Sequence, residues 1–481
     1  MVFSSSIFLT YFLPIVLLVY FLLPKKARNT FLLFASMVFY GWKAPRFIFV
    51  ILATTLLDFF LVNEMWKSDV KLRRRLFLTL SVGVNLGMLV YFKYSGFFVD
   101  NINSLIGVFG GNAIKWSKVV LPIGISFYTF ESITYVVDVY RKIHAPQKKF
   151  TSYLLYIIFF PKLVAGPIIR YHEIADQLEE RNETNERRIT GFIRFCTGLG
   201  KKVLIANYLG LTADYVYGPM DNAAAGLDPH SLTLSLSWAA ALAYTFQIYF
   251  DFSGYSDMAI GLARMFGFDI PENFNQPYLS ESITDFWRRW HITLGAWMKN
   301  YLYIPLGGNR SGPVRVYLNL FIVFLISGLW HGGAWNFIVW GCWHGFFLVI
   351  ERLFLLKLYE KLWRPLRILV TFFIVLIGWV FFRVENIERA FRYVEALFVH
   401  GSGKNYYQGD TQTLFFFALA AFFSFFSFFG FSAKWCREWF AGGFTKTWKL
   451  SAALLTSLLL LFISMSYLTV ANFNPFIYFR F

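Results

Sequence analysis

Apolar runs close to the length of a bilayer span recur from residue 7 to residue 470 of this 481-residue chain. A helix needs about 20 mainly apolar residues, roughly 17–25, to cross the hydrocarbon core. The segments that meet or approach this are 7–23, 31–42 with its flanks, 47–63, 76–92, 119–139, 192–210, 232–250, 316–330, 334–350, 366–382, 413–431 and 448–470. Length alone would allow two or three soluble domains. Only 15% of the residues are charged, however, against about 25% in soluble proteins. The expected fold is an all-α polytopic membrane protein with about 11–12 transmembrane helices plus re-entrant and interfacial helices. One integral-membrane domain is expected over 1–481, with N-terminal spans in 1–118, a catalytic core at 119–351 and C-terminal spans in 352–481.

Lys and Arg outnumber Asp and Glu by 45 to 28. Positive charge gathers in cytoplasmic loops, which accounts for the excess without a nucleic-acid partner. Lys25, Lys26 and Arg28 follow the first span; Lys67, Lys71, Arg73, Arg74 and Arg75 follow the third; Arg141, Lys142, Lys148 and Lys149 follow the fifth. These clusters fall on one side if the N-terminus is extracytoplasmic, and the span count places the C-terminus there too. The stretch 211–231, with Asp214, Asp221 and Asp228 but no Lys or Arg, then suits an outer loop. The N-terminus lacks the basic start and small-residue cleavage site of a removable signal, so it reads as a retained span. Cys196, Cys342 and Cys436 form neither a disulfide framework nor a metal spacing.

Residues 151–169 are apolar but short and interrupted by Pro161, Gly166 and Pro167. They read as a half-span element, tolerable at membrane depth only when buried in protein or lining a cavity. The stretch 251–315 is too polar to span and too apolar to float free, which suggests the cytoplasmic side of the bilayer. Residues 170–190 are hydrophilic and helix-prone, as expected of a cytoplasmic surface helix or loop.

The most unusual stretch is 277–345, which carries His291 and His331 in a chain with seven histidines. Its first part predicts a helix over 281–302. Ser282 and Asp285 supply a start signal, and Ile283, Phe286, Trp287, Trp290, Leu294, Trp297, Met298 and Tyr301 form an apolar stripe. Arg288, Arg289, Lys299 and Asn300 lie away from it, so an interfacial amphipathic helix is the plain reading. His291 sits at the stripe's edge, either as a structural histidine or in the chemistry. The second part, 316–350, would be about 52 Å long as one helix, against a hydrocarbon core of about 30 Å. It must break, most easily at Gly332-Gly333. His331, beside that break, is an ionisable group in an apolar run and therefore a functional candidate. Its imidazole is suited to proton transfer near neutral pH. His344 repeats the Trp-His-Gly pattern and reads as a supporting residue.

Asp251, Ser253, Tyr255, Asp257 and Arg264 concentrate at the end of the run before 251. Acidic groups so placed pair with cations or bind polar substrate, with Arg288 and Arg289 as the candidate partners. Zinc needs three or four ligands, and no His or Cys pair here has i, i+4 spacing. The G-x-S-x-G elbow and the nucleotide-binding patterns are missing as well.

FWRRWHITL (286–294), YLYIPLGGNR (301–310), SGLWHGGAWNFIVWG (327–341) and FDFSGYSDMAIG (250–261) resemble the membrane-bound O-acyltransferases, in their bacterial alginate O-acetyltransferase branch. VFSSSIFLTYFLPI at the N-terminus and PFIYFRF at the C-terminus are also similar, so the resemblance spans the chain. It implies helices around a central tunnel or funnel that an acyl thioester, acetyl-CoA above all, enters from the cytoplasm as donor substrate, with no tightly bound cofactor and no metal. His331 matches the family's principal catalytic histidine. His291 matches its second position, an asparagine in many eukaryotic relatives. The resemblance also implies an extracytoplasmic SGNH-type partner that completes transfer to a polysaccharide, with the protein in the inner membrane.

Acyl transfer to a hydroxyl needs a base and donors where oxyanion charge develops. His331 is expected as the base, with His291 orienting the thioester or donating to its carbonyl. Arg288, Arg289, Lys299 and Arg310 are expected to attract coenzyme A phosphates. Trp330, Asn336, Trp287, Trp290, Asn300, Asp251, Tyr255, Asp257 and His344 are expected around the substrates. The rival readings are a relative acting on teichoic acid, lipid or protein, and a non-enzymatic export subunit that would need neither histidine.

Overall fold

The computed structural model describes residues 1–42, 44–117, 119–219, 222–310, 312–399, 401, 409–444, 446–470 and 476–477. Among them every regular element is helical, apart from one isolated antiparallel bridge between Phe274 and Trp290. Seven helices are long and apolar enough to cross a bilayer: Phe47–Lys67, Lys71–Val108, Pro313–His331, Trp335–Tyr359, Arg364–Arg383, Thr411–Phe428 and Thr447–Val470. A shorter apolar helix runs over Phe8–Leu22.

The other segments expected to span are also largely helical, and two of them, Ile125–Tyr140 and Leu234–Met265, bury acidic groups within the protein. Nearly every side chain of Ile125–Tyr140 is buried, including Glu131 and Asp138. The helix Leu234–Met265 runs unbroken through residue 251, where the sequence reading ended it. Carboxylates at membrane depth must face protein partners rather than lipid, and that requirement keeps these helices inside.

The chain packs as two compact units. The first comprises Met1–Arg188 and Leu262–Pro271. Here Phe3, Phe8, Phe12, Phe39 and Phe160 form an aromatic core. As expected of a half-span, the helix Phe150–Ile158 gives way to a buried turn running to Gly166. Its polar groups find internal partners. Glu131 pairs with Lys162, Tyr156 donates to the Ile169 carbonyl at 2.7 Å, and Ser36 Oγ accepts from Phe160 N at 3.1 Å. Residues 170–190 are less free than the sequence suggested. Glu183 is held by Arg28 and Tyr20, and Arg181 donates to Asn29 at 2.6 Å.

The second unit comprises Ile189–Gly261 and Glu272–Phe481. Its helix Asn185–Gly200, which starts just before the unit, lies flat against Leu234–Met265 because both carry glycines at the crossing. A Cβ at Gly198 would overlap the Gly254 carbonyl, and a Cβ at Gly261 would overlap the backbone of Gly191 and Phe195. Small residues allow this approach in membrane helices. The expected outer loop is shorter than 211–231, because the helix Asn207–Tyr217 carries Asp214 to the buried Arg383 at 2.8 Å. Asp228 instead caps the turn Pro229–Ser231. Asp221 lies outside the described residues, as does all of PFIYFRF except Phe476 and Ile477.

Candidate active site

The break at Gly332-Gly333 is a tight hairpin. Pro313–His331 and Trp335–Ile350 run antiparallel, close enough that a Cβ at Gly328 would overlap the Phe337 carbonyl and one at Gly341 the Phe324 carbonyl. A Cβ at Gly332 would enter the Phe337 ring. These contacts fix the end of the first helix and with it His331, which is 4% exposed.

The helix expected over 281–302 is not continuous. Ile283–Arg289 begins at Ser282, whose Oγ accepts from Asp285 N at 3.0 Å as the start signal predicts. It ends at Trp290, which leaves the helix to bridge Phe274. His291 takes a left-handed conformation (φ 45°) before Ile292–Met298 resumes. The break has tertiary causes: Asn275 N donates to the Arg289 carbonyl at 2.9 Å and Ile292 N to the Asn273 carbonyl at 3.0 Å. His291 therefore sits in the interior, 1% exposed, rather than on an interfacial surface. The buried Glu351, one residue past Trp335–Ile350, accepts from Ile283 N, from Thr284 N at 2.9 Å and from Thr284 Oγ1 at 2.8 Å. A carboxylate on the first turn of a helix satisfies its free N–H groups and its dipole, and it ties this segment to the hairpin.

The three histidines alternate with tryptophans. The Trp330 ring lies 6.1 Å from His291 and 4.9 Å from His331. Trp340 lies 5.0 Å from His331 and 5.1 Å from His344, and Trp287 meets His344 edge-on at 5.0 Å. Phe382 closes on His331 at 5.0 Å and Phe252 on His291 at 4.7 Å. His344, on the second hairpin helix, accepts from Trp287 Nε1 at 3.4 Å through Nδ1. Indole N–H only donates, so the His344 proton sits on Nε2, which faces Gly378.

Of the remaining expected residues, Trp287, Trp290 and Trp330 join this aromatic cage. Trp290 packs on Trp379 at 4.7 Å. Asn336 binds the Phe381 and Phe382 carbonyls at 3.2 and 3.4 Å and so helps place the Phe382 ring. Tyr255 stacks on Phe476 at 4.7 Å, and Phe476 touches Phe252 in turn.

The expected pairing of Asp251 and Asp257 with Arg288 and Arg289 is not found. Asp251 pairs with Lys202 at 2.7 Å and accepts from Ile477 N at 2.8 Å. Asp257 pairs with Arg194 at 2.9 Å and Lys201 at 2.6 Å. Arg289 bonds Asp285 one turn back on its own helix. Arg288, Lys299 and Arg310 are exposed, and Asn300 donates to the Ala296 carbonyl of its own helix. The glycine-mediated helix crossing explains the difference, since it delivers the cations of 194–202 directly to the acids of 251–257.

Beside this ion cluster lies a cavity of about 480 Å³. Arg194, Lys201, Asp257 and Glu272 line it together with Ser253, Ser256, Asn273 and Gln276. Arg194 also binds Glu272 at 2.5 Å, so two cations face two carboxylates and the wall is charge-balanced. Asn273 connects the cavity to the histidines, because its Oδ1 lies 3.0 Å from His291 Nδ1. Sequence reasoning missed Asn273, Trp340, Arg194, Lys201 and Lys202. The one signal present was the seven-residue glycine spacing on both helices, Gly191–Gly198 and Gly254–Gly261.

The sequence model of the MBOAT, membrane-bound O-acyltransferase family matches residues 144–388. The chain is 45% identical over 402 residues to the "Probable alginate O-acetylase AlgI" of Azotobacter vinelandii, covering 83% of this chain and 79% of that one. The Pseudomonas aeruginosa protein of that name is 44% identical over 84% of this chain and 76% of its own length. The "Peptidoglycan O-acetyltransferase" of Helicobacter pylori is 36% identical over 82% and 80%. With the multi-pass helical fold, these matches identify the chain as a member of the membrane-bound O-acyltransferase family and its activity as acyl transfer.

Proposed function

We propose that this protein passes an acetyl group from a cytoplasmic thioester, acetyl-CoA, toward O-acetylation of an extracytoplasmic polysaccharide of the alginate or peptidoglycan kind, working with an SGNH-type partner. The observation that carries this reading is the single indole, Trp330, touching both His291 and His331 inside a buried aromatic cage. His331 removes the proton from the accepting hydroxyl as its oxygen attacks the thioester carbonyl. The tetrahedral intermediate then collapses, the carbon–sulfur bond breaks, and the coenzyme A thiolate leaves to take up a proton. Burial keeps water from competing for the acyl group. The charge-balanced cavity behind Asn273 suits the neutral, polar pantetheine arm better than a cluster of phosphates.

Membranes carrying the full-length protein, incubated with radiolabelled acetyl-CoA, test the assignment. His331→Ala and His291→Ala should each lower label transfer by about 10²–10⁴-fold at unchanged protein abundance. Near wild-type transfer in both variants would remove the histidines from the reaction.

A further inference from the structure

Asn273 meets the His291 segment at four points. Its Oδ1 stands 3.0 Å from His291 Nδ1, 2.9 Å from Thr293 Oγ1 and 3.3 Å from Thr293 N. Its backbone carbonyl accepts from Ile292 N at 3.0 Å. On the opposite side its Nδ2 donates to Ser256 Oγ at 3.2 Å. A backbone N–H only donates, so the amide atom facing Thr293 N is the oxygen. That oxygen only accepts, and the His291 proton therefore resides on Nδ1. The Nε2 nitrogen then carries the lone pair.

We infer that Asn273 is a positioning residue that fixes His291 as its Nδ1–H tautomer, so that His291 serves the acyl transfer as a neutral hydrogen-bond acceptor through Nε2, while His331 takes the hydroxyl proton. This replaces the expectation that His291 donates to the thioester carbonyl. Orientation of an imidazole by the partner of its other nitrogen is a general determinant of its role. Burial also pushes the His291 imidazole down to about 3, which keeps it neutral. The inference rests on the proposed participation of His291 in the reaction.

Two variants of the full-length protein test it with radiolabelled acetyl-CoA as the probe. Asn273→Ala leaves Nδ1 without its acceptor and should lower kcat by about 10²-fold, with the donor KM within about twofold. Asn273→Asp keeps an acceptor at that position and should retain most of kcat. Its carboxylate also favours the imidazolium, so the acid limb of the pH–rate profile should move to higher pH. The other charged groups lining the cavity that Asn273 shares, Arg194, Lys201, Asp257 and Glu272, are unchanged in both variants.

A rise in donor KM alone would make Asn273 a donor-binding residue and overturn the inference. So would an Asn273→Asp profile whose acid limb stays in place, or one whose activity rises on acidification as a donating imidazolium requires. His291→Ala measured alongside separates the two levels. If it is inactive while both Asn273 variants behave as wild type, the positioning role falls and the participation of His291 stands. If His291→Ala is itself fully active, the proposed role of His291 falls first.

Discussion

His331 and Trp340 meet edge to face at 5.0 Å and 85°, one at the end of the first hairpin helix and the other well inside the second. Trp340 also lies 5.1 Å from His344 and 5.5 Å from Trp287, so one fully buried indole sets the positions of two imidazoles. Edge-to-face pairs contribute about 0.5–1.5 kcal/mol beyond their buried area.

Trp340→Ala should therefore cost about 3–5 kcal/mol in stability and abolish acyl transfer. Trp340→Phe keeps an aromatic edge in a smaller ring, so both imidazoles gain room. Its melting temperature in detergent should stay close to wild type while acyl transfer per folded molecule falls by about tenfold, as small displacements at a reacting centre do. Equal and proportionate losses in both measurements would reduce Trp340 to a packing residue.

The pair of Asp251 and Lys202 is almost fully buried, at 1% and 3% exposure. Removing one partner from such a pair leaves an uncompensated charge and costs about 3–5 kcal/mol, while replacing both with apolar residues is often near neutral. Asp251→Leu and Lys202→Met should each lower the melting temperature strongly, and the double variant should recover most of the loss. Asp251 also holds Ile477 N, so limited proteolysis should release the C-terminal segment in Asp251→Leu and in the double variant but not in Lys202→Met. Additive destabilisation in the double variant would contradict the pairing.

The hairpin was legible because it rests on a local constraint. Residues 316–350 are too long to cross once, and Gly332-Gly333 marks the turn. The interruption at Trp290-His291 was not legible, because the apolar stripe from Ile283 to Tyr301 continues through it without glycine or proline. Its cause is the backbone of Asn273 and Asn275, brought from outside the helix, a tertiary effect that periodicity does not encode. The cations facing Asp251 and Asp257 were misassigned for a related reason. Proximity in sequence favoured Arg288 and Arg289, while the close crossing at Gly198 and Gly254 selected Arg194, Lys201 and Lys202.

His144 lies in the loop before Phe150–Ile158, with Nδ1 2.8 Å from the Ala145 carbonyl and Nε2 3.0 Å from Asp176 Oδ1. A carbonyl and a carboxylate both only accept, so satisfying the two together requires a proton on each nitrogen. Partial burial lowers the basicity of His144. The Ala145 carbonyl, then Asp176, with Glu179 behind it, outweigh burial and raise the pKa above 6.5. A group whose pKa is raised on folding stabilises fully below its unfolded pKa, and the stabilisation disappears as pH rises through the folded pKa. His144→Ala should thus melt below wild type at about pH 6 and coincide with it at about pH 9. The difference should be small and weaken with salt, because Asp176 is exposed and such pairs are screened. A His144→Ala deficit that persists unchanged at the higher pH would mean that His144 acts through packing on Tyr171, 5.2 Å away, and not through its charge.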